Sequence, residues 1–246
     1  VVLRITTGTL GKFAICAAGP FQGLPTTLVE LCLQRGVDYI DLSDDRAYVS
    51  RVRELAGAAG ACPVAVCSGW SAVPALSGLL ARIAVESLSS VDSLYIQIAP
   101  GNRFPRSVGT VSSLLSCVGR PFALWENRQW RTVSGWSEPR DFDFPDPVGR
   151  RRGYLVDVPD HEIFPALFAA GRVEFRVGSE IGFFNHALST LAWFCRNGWI
   201  GELRHWSGTL RRCMSLGGFL GHDWGAVGVC AVGTARNGKR ARSQAC

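Results

Sequence analysis

The chain has 246 residues, enough for one large or two modest domains. Hydrophobic residues make up 47% and charged residues 19%, a balance that excludes a disordered chain and implies a real core. The net charge of +6 is concentrated in Arg150-Arg151-Arg152, Arg211-Arg212 and the tail at 236–242; no recognition helix or aromatic RNA motif accompanies these arginines, so they read as solvated faces and no nucleic-acid partner is expected.

Nine cysteines are scattered along the chain without any CxxC pair, which reads as small buried hydrophobes in a reducing, cytoplasmic setting. There is no basic stretch followed by a long apolar core, the mark of a secretory leader. The apolar run at 216–232 is interrupted by His222 and Asp223, so no membrane span is expected.

In chain order, residues 1–5 read as a remnant strand and 6–12 as a loop. Residues 13–41 form the most informative stretch. An apolar run from Phe13 stops at Gly19-Pro20, which suits a strand buried on both faces that ends in a tight loop. Pro25, with Thr27 three residues before Glu30, signals a helix start; Leu28, Leu31 and Cys32 give it one apolar stripe, and Gly36 ends it. A second strand follows and reaches Asp41. Strand, loop, helix, glycine and strand make a βαβ unit with parallel strands. Asp44 is placed to cap the next helix, which carries Val49, Val52 and Leu55, and a third short strand at 63–67 stops at Ser68-Gly69. Gly19, Asp41 and Ser68 therefore mark three strand ends, and in open parallel sheets ligands gather beyond such ends. The plain alternative is that Gly19-Pro20 is only a turn and Asp41 only a loop residue.

Near residue 90 the pattern changes. Leu94, Ile96 and Ile98 alternate with wetter positions, and two short strands flank Glu126-Asn127-Arg128 as a hairpin. Residues 135–152 read as a long loop, 154–158 and 173–177 as strands, and 180–197 as a helix stopped by Gly198. Asp160 is expected to cap a short helix. Residues 206–231 read as a helix, a glycine-rich turn and a strand, and the basic tail after Ala235 as frayed. The second part is α+β with an antiparallel sheet, and the boundary falls near residues 88–92.

Several constellations fail on their own terms. His161-Glu162 begins like HExxH, but position 165 is Pro. His222-Asp223 reads as a turn, since adjacent residues seldom face one ligand. His186 reads as a packed or capping histidine. Cys67 stands at a strand end without an identifiable His partner. Arg150-Arg151-Arg152 reads as a solvated loop ahead of an anion site. No metal site is expected. No GxGxxG motif occurs, so either the sheet does not bind a dinucleotide, or the chain is a fragment that lacks its first βαβ unit.

Ala17-Ala-Gly-Pro-Phe-Gln22 followed by Gly36-Val-Asp-Tyr-Ile-Asp-Leu42 resembles the saccharopine dehydrogenase (reductase)-like family of NAD(P)-binding oxidoreductases. Pro100-Gly-Asn-Arg103, Val118-Gly-Arg-Pro121, Pro147-Val-Gly-Arg150 and Val156-Asp-Val-Pro-Asp160 resemble the second domain of an uncharacterised branch, and the likeness covers residues 13–235. It implies an α/β fold: a partial Rossmann-like parallel sheet with its first βαβ missing over 1–90, then an α+β substrate and dimerisation domain over 91–246. It implies NADP or NAD as cofactor, with Ala18, Gly19 and Pro20 near the nicotinamide end and Asp41 and Ser68 at the same edge. It places Gly101 and Asn102 toward a small carbonyl or imine-type substrate. No general acid or base is assigned beyond the candidates Asp41 and Tyr39. A homodimer is compatible with this reading. The rival is a non-catalytic Rossmann-like scaffold or dimerisation protein, or an inactive truncated fragment.

Overall fold

A computed structural model of the chain describes residues 4–8, 11–60, 63–104, 108–201, 203–209, 212 and 220–246. Two strands, β1 (Arg4–Gly8) and β2 (Gly11–Cys16), pair antiparallel, so most of the stretch expected to be loop is a hairpin. Helix α1 (Thr27–Arg35) then leads to β3 (Asp38–Asp41), and α2 (Arg46–Ala58) to β4 (Val66–Cys67). The order is β1-β2-β3-β4, with β2, β3 and β4 mutually parallel, as the βαβ reading requires.

Local signals placed these elements with small offsets. Gly36 closes α1 in the left-handed region (φ 64°), and the Val37 amide returns to the Cys32 carbonyl. Thr26, and not Thr27, pairs with Glu30, through a side-chain hydrogen bond of 2.9 Å. Asp45 caps α2 by accepting from the Tyr48 amide at 2.7 Å. Asp44, the expected cap, accepts instead from the Ser113 hydroxyl at 2.7 Å.

The expectation of a strand buried on both faces is corrected. Ala14 and Cys16 are buried, while Phe13 and Ile15 are 41% and 40% exposed. Both crossover helices lie on one face: Val29 and Cys32 of α1 and Tyr48 and Val52 of α2 pack with Ala14, Cys16 and Tyr39.

A π-type turn at Ala72–Leu76 leads into α3 (Ser77–Val85) and the long strand β5 (Leu88–Ala99). Then come α4 (Val108–Cys117), the hairpin of β6 (Pro121–Glu126) and β7 (Gln129–Ser134), β8 (Arg140–Asp143) and β9 (Arg150–Leu155). Helix α5 (Asp160–Leu167), β10 (Arg172–Val177), α6 (Gly182–Arg196), β11 (Ala226–Ala235) and β12 (Arg240–Ala245) complete the chain. These strands build an eight-stranded sheet, ordered β12-β11-β5-β10-β6-β7, with β9 on β10 and β8 on β9. The architecture is therefore mixed α/β, with one parallel three-strand core and one mixed sheet. The second sheet is not wholly antiparallel, because β5 and β10 run parallel. Helix α3 packs on this sheet: Leu80, Ala81 and Ala84 share a core with Leu94, Ile96, Phe175 and Val229.

Two segments differ from expectation for a readable reason. Strands β8 and β9 replace the expected long loop; they are polar, and Asp141 ties them through Arg150 and Arg152 at 2.8 Å each. The basic tail is not frayed: it forms the edge strand β12, with exposed arginines alternating with half-buried Ala241, Ser243 and Ala245. The helix expected near 206–219 falls largely outside the described residues, and residues 203–206 form a short 3-10 turn.

Asp160 opens α5 without capping it. Its carboxyl is sealed from solvent with no hydrogen-bond partner at normal geometry, and burial pushes it from 3.8 up to about 7. The folded state thus holds this proton more tightly than the unfolded chain, and stability from this group falls as pH rises from about 4 to about 7. The difference is on the order of 4 kcal/mol. Asp160→Asn removes that slope: in urea unfolding, the stability lost between pH 5 and pH 8 should shrink relative to the parent chain, and an unchanged difference would contradict the assignment.

Candidate functional site

The strand ends β2, β3 and β4 point to one edge, and the three sequence-marked positions follow them there. Gly19 and Pro20, joined by a cis peptide, come after β2 with Ala18 half-buried beside them. The position of a Cβ on Gly19 meets nothing nearer than the Phe21 ring at 3.9 Å, so a ligand can approach this backbone directly.

Asp41 sits at the same edge but is turned inward. It is fully buried. Its Oδ1 accepts from the amides of Ser43 at 2.9 Å and Gly69 at 2.8 Å, and its Oδ2 accepts from the Ser68 hydroxyl at 2.8 Å. Its carbonyl accepts from the Trp70 amide at 2.8 Å. Asp41 is therefore a brace for the loop after β4, with its carboxylate engaged by the chain itself. Gly69 is required in that loop: its φ is 84°, and a Cβ would lie 2.5 Å from the Pro74 ring. Tyr39, the other acid–base candidate, is buried, its hydroxyl pairs with Tyr48 at 2.9 Å, and burial raises it far above the ordinary tyrosine range.

A cavity of about 340 Å³ opens between α2 and β4, lined by residues including Arg53, Val66, Cys67, Ser68 and Trp70. Of the residues expected to hold cofactor, Ser68 alone lines it. Ala18, Gly19 and Pro20 lie at the strand ends outside it.

Gly101 and Asn102 belong to a second rim. They follow β5, and Glu180 follows β10; because these strands are parallel, both segments leave at one edge. Strand β11 runs antiparallel to β5, so residues 220–225 enter at that edge too. Glu180 Oε2 accepts from the amides of Asn102 and His222, each at 2.9 Å. Its Oε1 faces His222 Nδ1 at 2.6 Å and Arg151 Nη2 at 3.4 Å. Burial alone raises the Glu180 carboxyl, but the His222 amide and ring, the Asn102 amide and the Arg151 charge outweigh it and hold it below its ordinary value. The Asn102 side chain donates to the Leu220 carbonyl at 2.8 Å. Gly101 lets the chains cross: a Cβ there would stand 2.6 Å from the His222 carbonyl. The His222 ring stacks on Trp224, centroids 4.4 Å apart at 16°.

Sequence reasoning missed this cluster. In sequence the neighbour of His222 is Asp223, whereas its partner in the structure is Glu180, 42 residues away. Arg151, read as a loop residue, stands on β9 and pairs with Glu180. A signal is present: Gly178-Ser179-Glu180 places small and acidic residues after a strand, the residue types that mark the first rim.

The two sheets are joined by polar contacts. Gln22 Nε2 donates to the Ser113 hydroxyl of α4 at 2.9 Å, and that hydroxyl donates to Asp44. Arg46 reaches the Ala123 carbonyl, Asp157 and Glu162, and Ser50 donates to Glu162 at 2.8 Å. His161 is buried and its Nε2 accepts from the Phe175 amide at 3.2 Å, a core role. Exposed His186 lies on α6. Among the described residues no group of three or more His, Cys, Asp or Glu is placed to hold a metal ion, and no helix is long and apolar enough to cross a membrane.

No family model matches this chain, and no curated protein matches it.

If Asp41 braces the first rim, its loss is felt in stability. Asp41→Ala strands two buried amides and a hydroxyl and should cost about 3 kcal/mol or more in urea unfolding, against about 1 kcal/mol for Ser68→Ala. Equal and small effects would show that the carboxylate does not hold the loop.

Proposed function

We propose that the chain is an NAD(P)-dependent oxidoreductase of the saccharopine dehydrogenase-like type, acting on a small carbonyl or imine-type substrate. One observation carries the reading: Gly19-Pro20, Asp41 and Ser68-Gly69 gather at the carboxyl edge of three adjacent parallel strands, the position where such sheets take ligands. A cofactor fits there through the open backbone at Gly19, where a side chain would fill the space a ligand needs.

In this reading Ala18, Gly19 and Pro20 form the floor under the nicotinamide end, and Ser68 lies at its side. Asp41 acts through the loop it holds. Bound NADP or NAD would supply the hydride chemistry; the chain supplies position and exclusion of water. Gly101 and Asn102 lie on the second rim and would present substrate contacts. The family text of the sequence adds the reaction class.

The test is a thermal melt with NADPH and with NADH. At a hundredfold excess over Kd, binding should add about 2.7 kcal/mol and raise Tm by several degrees. Gly19→Ala keeps the stability of the free chain, because its Cβ makes only ordinary contact with the Phe21 ring at 3.9 Å, and weakens or abolishes the shift. A parent chain that shifts with neither dinucleotide would return the protein to the scaffold reading.

A further inference from the structure

The cavity between α2 and β4 brings two kinds of wall together. Val52 and Ala56, one turn apart on α2, and Val66 of β4 give it an apolar side. Arg53 and Trp70 give it a cation and an indole. Arg53 is the one charged residue among those that line it, and among the described residues its guanidinium has no hydrogen bond or ion pair. The Trp70 side chain is 57% exposed, while its backbone is held, the amide donating to the Asp41 carbonyl at 2.8 Å. The Ser68 hydroxyl already donates to Asp41, so it brings no free proton to a guest.

The chemistry of the walls selects a ligand class. The volume of about 340 Å³ lies within the range of about 300–1,000 Å³ of small-molecule sites, which pair apolar walls with a few placed polar groups. A guanidinium without a partner takes a carboxylate through two parallel N–H donors. One guanidinium balances one negative charge, which favours a monoanion over a phosphate. A flat indole opposite aliphatic side chains favours a ring between them. We propose that this cavity binds a small aromatic monocarboxylate, with its carboxylate on Arg53 and its ring between Trp70 and the wall of Val52, Ala56 and Val66. The site goes beyond the oxidoreductase reading and does not depend on it. Ser68, which lines the cavity and also stands at the carboxyl edge of the parallel strands, makes it a neighbour of the first rim.

A ligand-observed saturation-transfer titration of the full chain, without dinucleotide, tests it. The probes are phenylacetate and its neutral isostere phenylacetamide. Phenylacetate should bind saturably, and the amide about tenfold more weakly. Arg53→Gln should weaken phenylacetate by about tenfold and erase its advantage over the amide. Trp70→Ala should weaken both ligands alike. Both side chains are exposed, so the melts of the two variants should match that of the parent; if Trp70→Ala melts early, Arg53→Gln alone decides. The proposal is overturned by the absence of saturable phenylacetate binding, by an amide that binds as tightly as the acid, or by binding that Arg53→Gln leaves unchanged. A chain that binds phenylacetate but shifts its melt with neither dinucleotide keeps this site and loses the oxidoreductase reading; the reverse result removes this site alone.

Discussion

A carboxyl group buried at the end of a strand, with its oxygens filled by donors from its own loop and the neighbouring one, is the constraint on which the first rim depends. Asp41 gathers two backbone amides and a hydroxyl, and so fixes Ser68, Gly69 and Trp70 against the end of β3. A buried charge of this kind is tolerable only when its hydrogen bonds are complete. The loop is therefore braced against the end of β3, beside the exposed backbone of Gly19 on the adjacent strand end.

The second rim repeats the device with a different outcome. Glu180 also follows a parallel strand and also collects two backbone amides. Here the remaining oxygen meets an imidazole and a guanidinium instead of a hydroxyl. Asp41 turns its ligating capacity inward and stabilises; Glu180 passes its polarity outward through His222. The Gln22–Ser113–Asp44 contacts join the segments just beyond the first rim to helix α4.

What the sequence made legible was local. Gly36 ended α1 where a left-handed residue was needed, and Asn127 and Arg128 at φ 53° and 60° closed the hairpin between β6 and β7. The alternation of Val173, Phe175 and Val177 marked β10, but nothing in that strand announced that its neighbour would be the parallel β5. Pairings over long separations carry no local mark, so the sequence does not single out Glu180 as the partner of His222. Polar strands were invisible for a related reason: β8, β9 and β12 are held by ion pairs and edge pairing, and their arginines look like solvated loop. The residues at the first rim are legible because their strands are apolar; the direction of the Asp41 side chain is not, because it depends on an amide and a hydroxyl from another loop.

The most direct measurement is hydrogen–deuterium exchange of the intact chain with and without saturating NADPH. The account predicts slowed exchange in two segments, residues 17–22 after β2 and 68–71 after β4, with the exposed face of β2 unchanged. Protection confined to other segments, or none at all, would contradict the claim that the carboxyl edge of the parallel strands is the cofactor site.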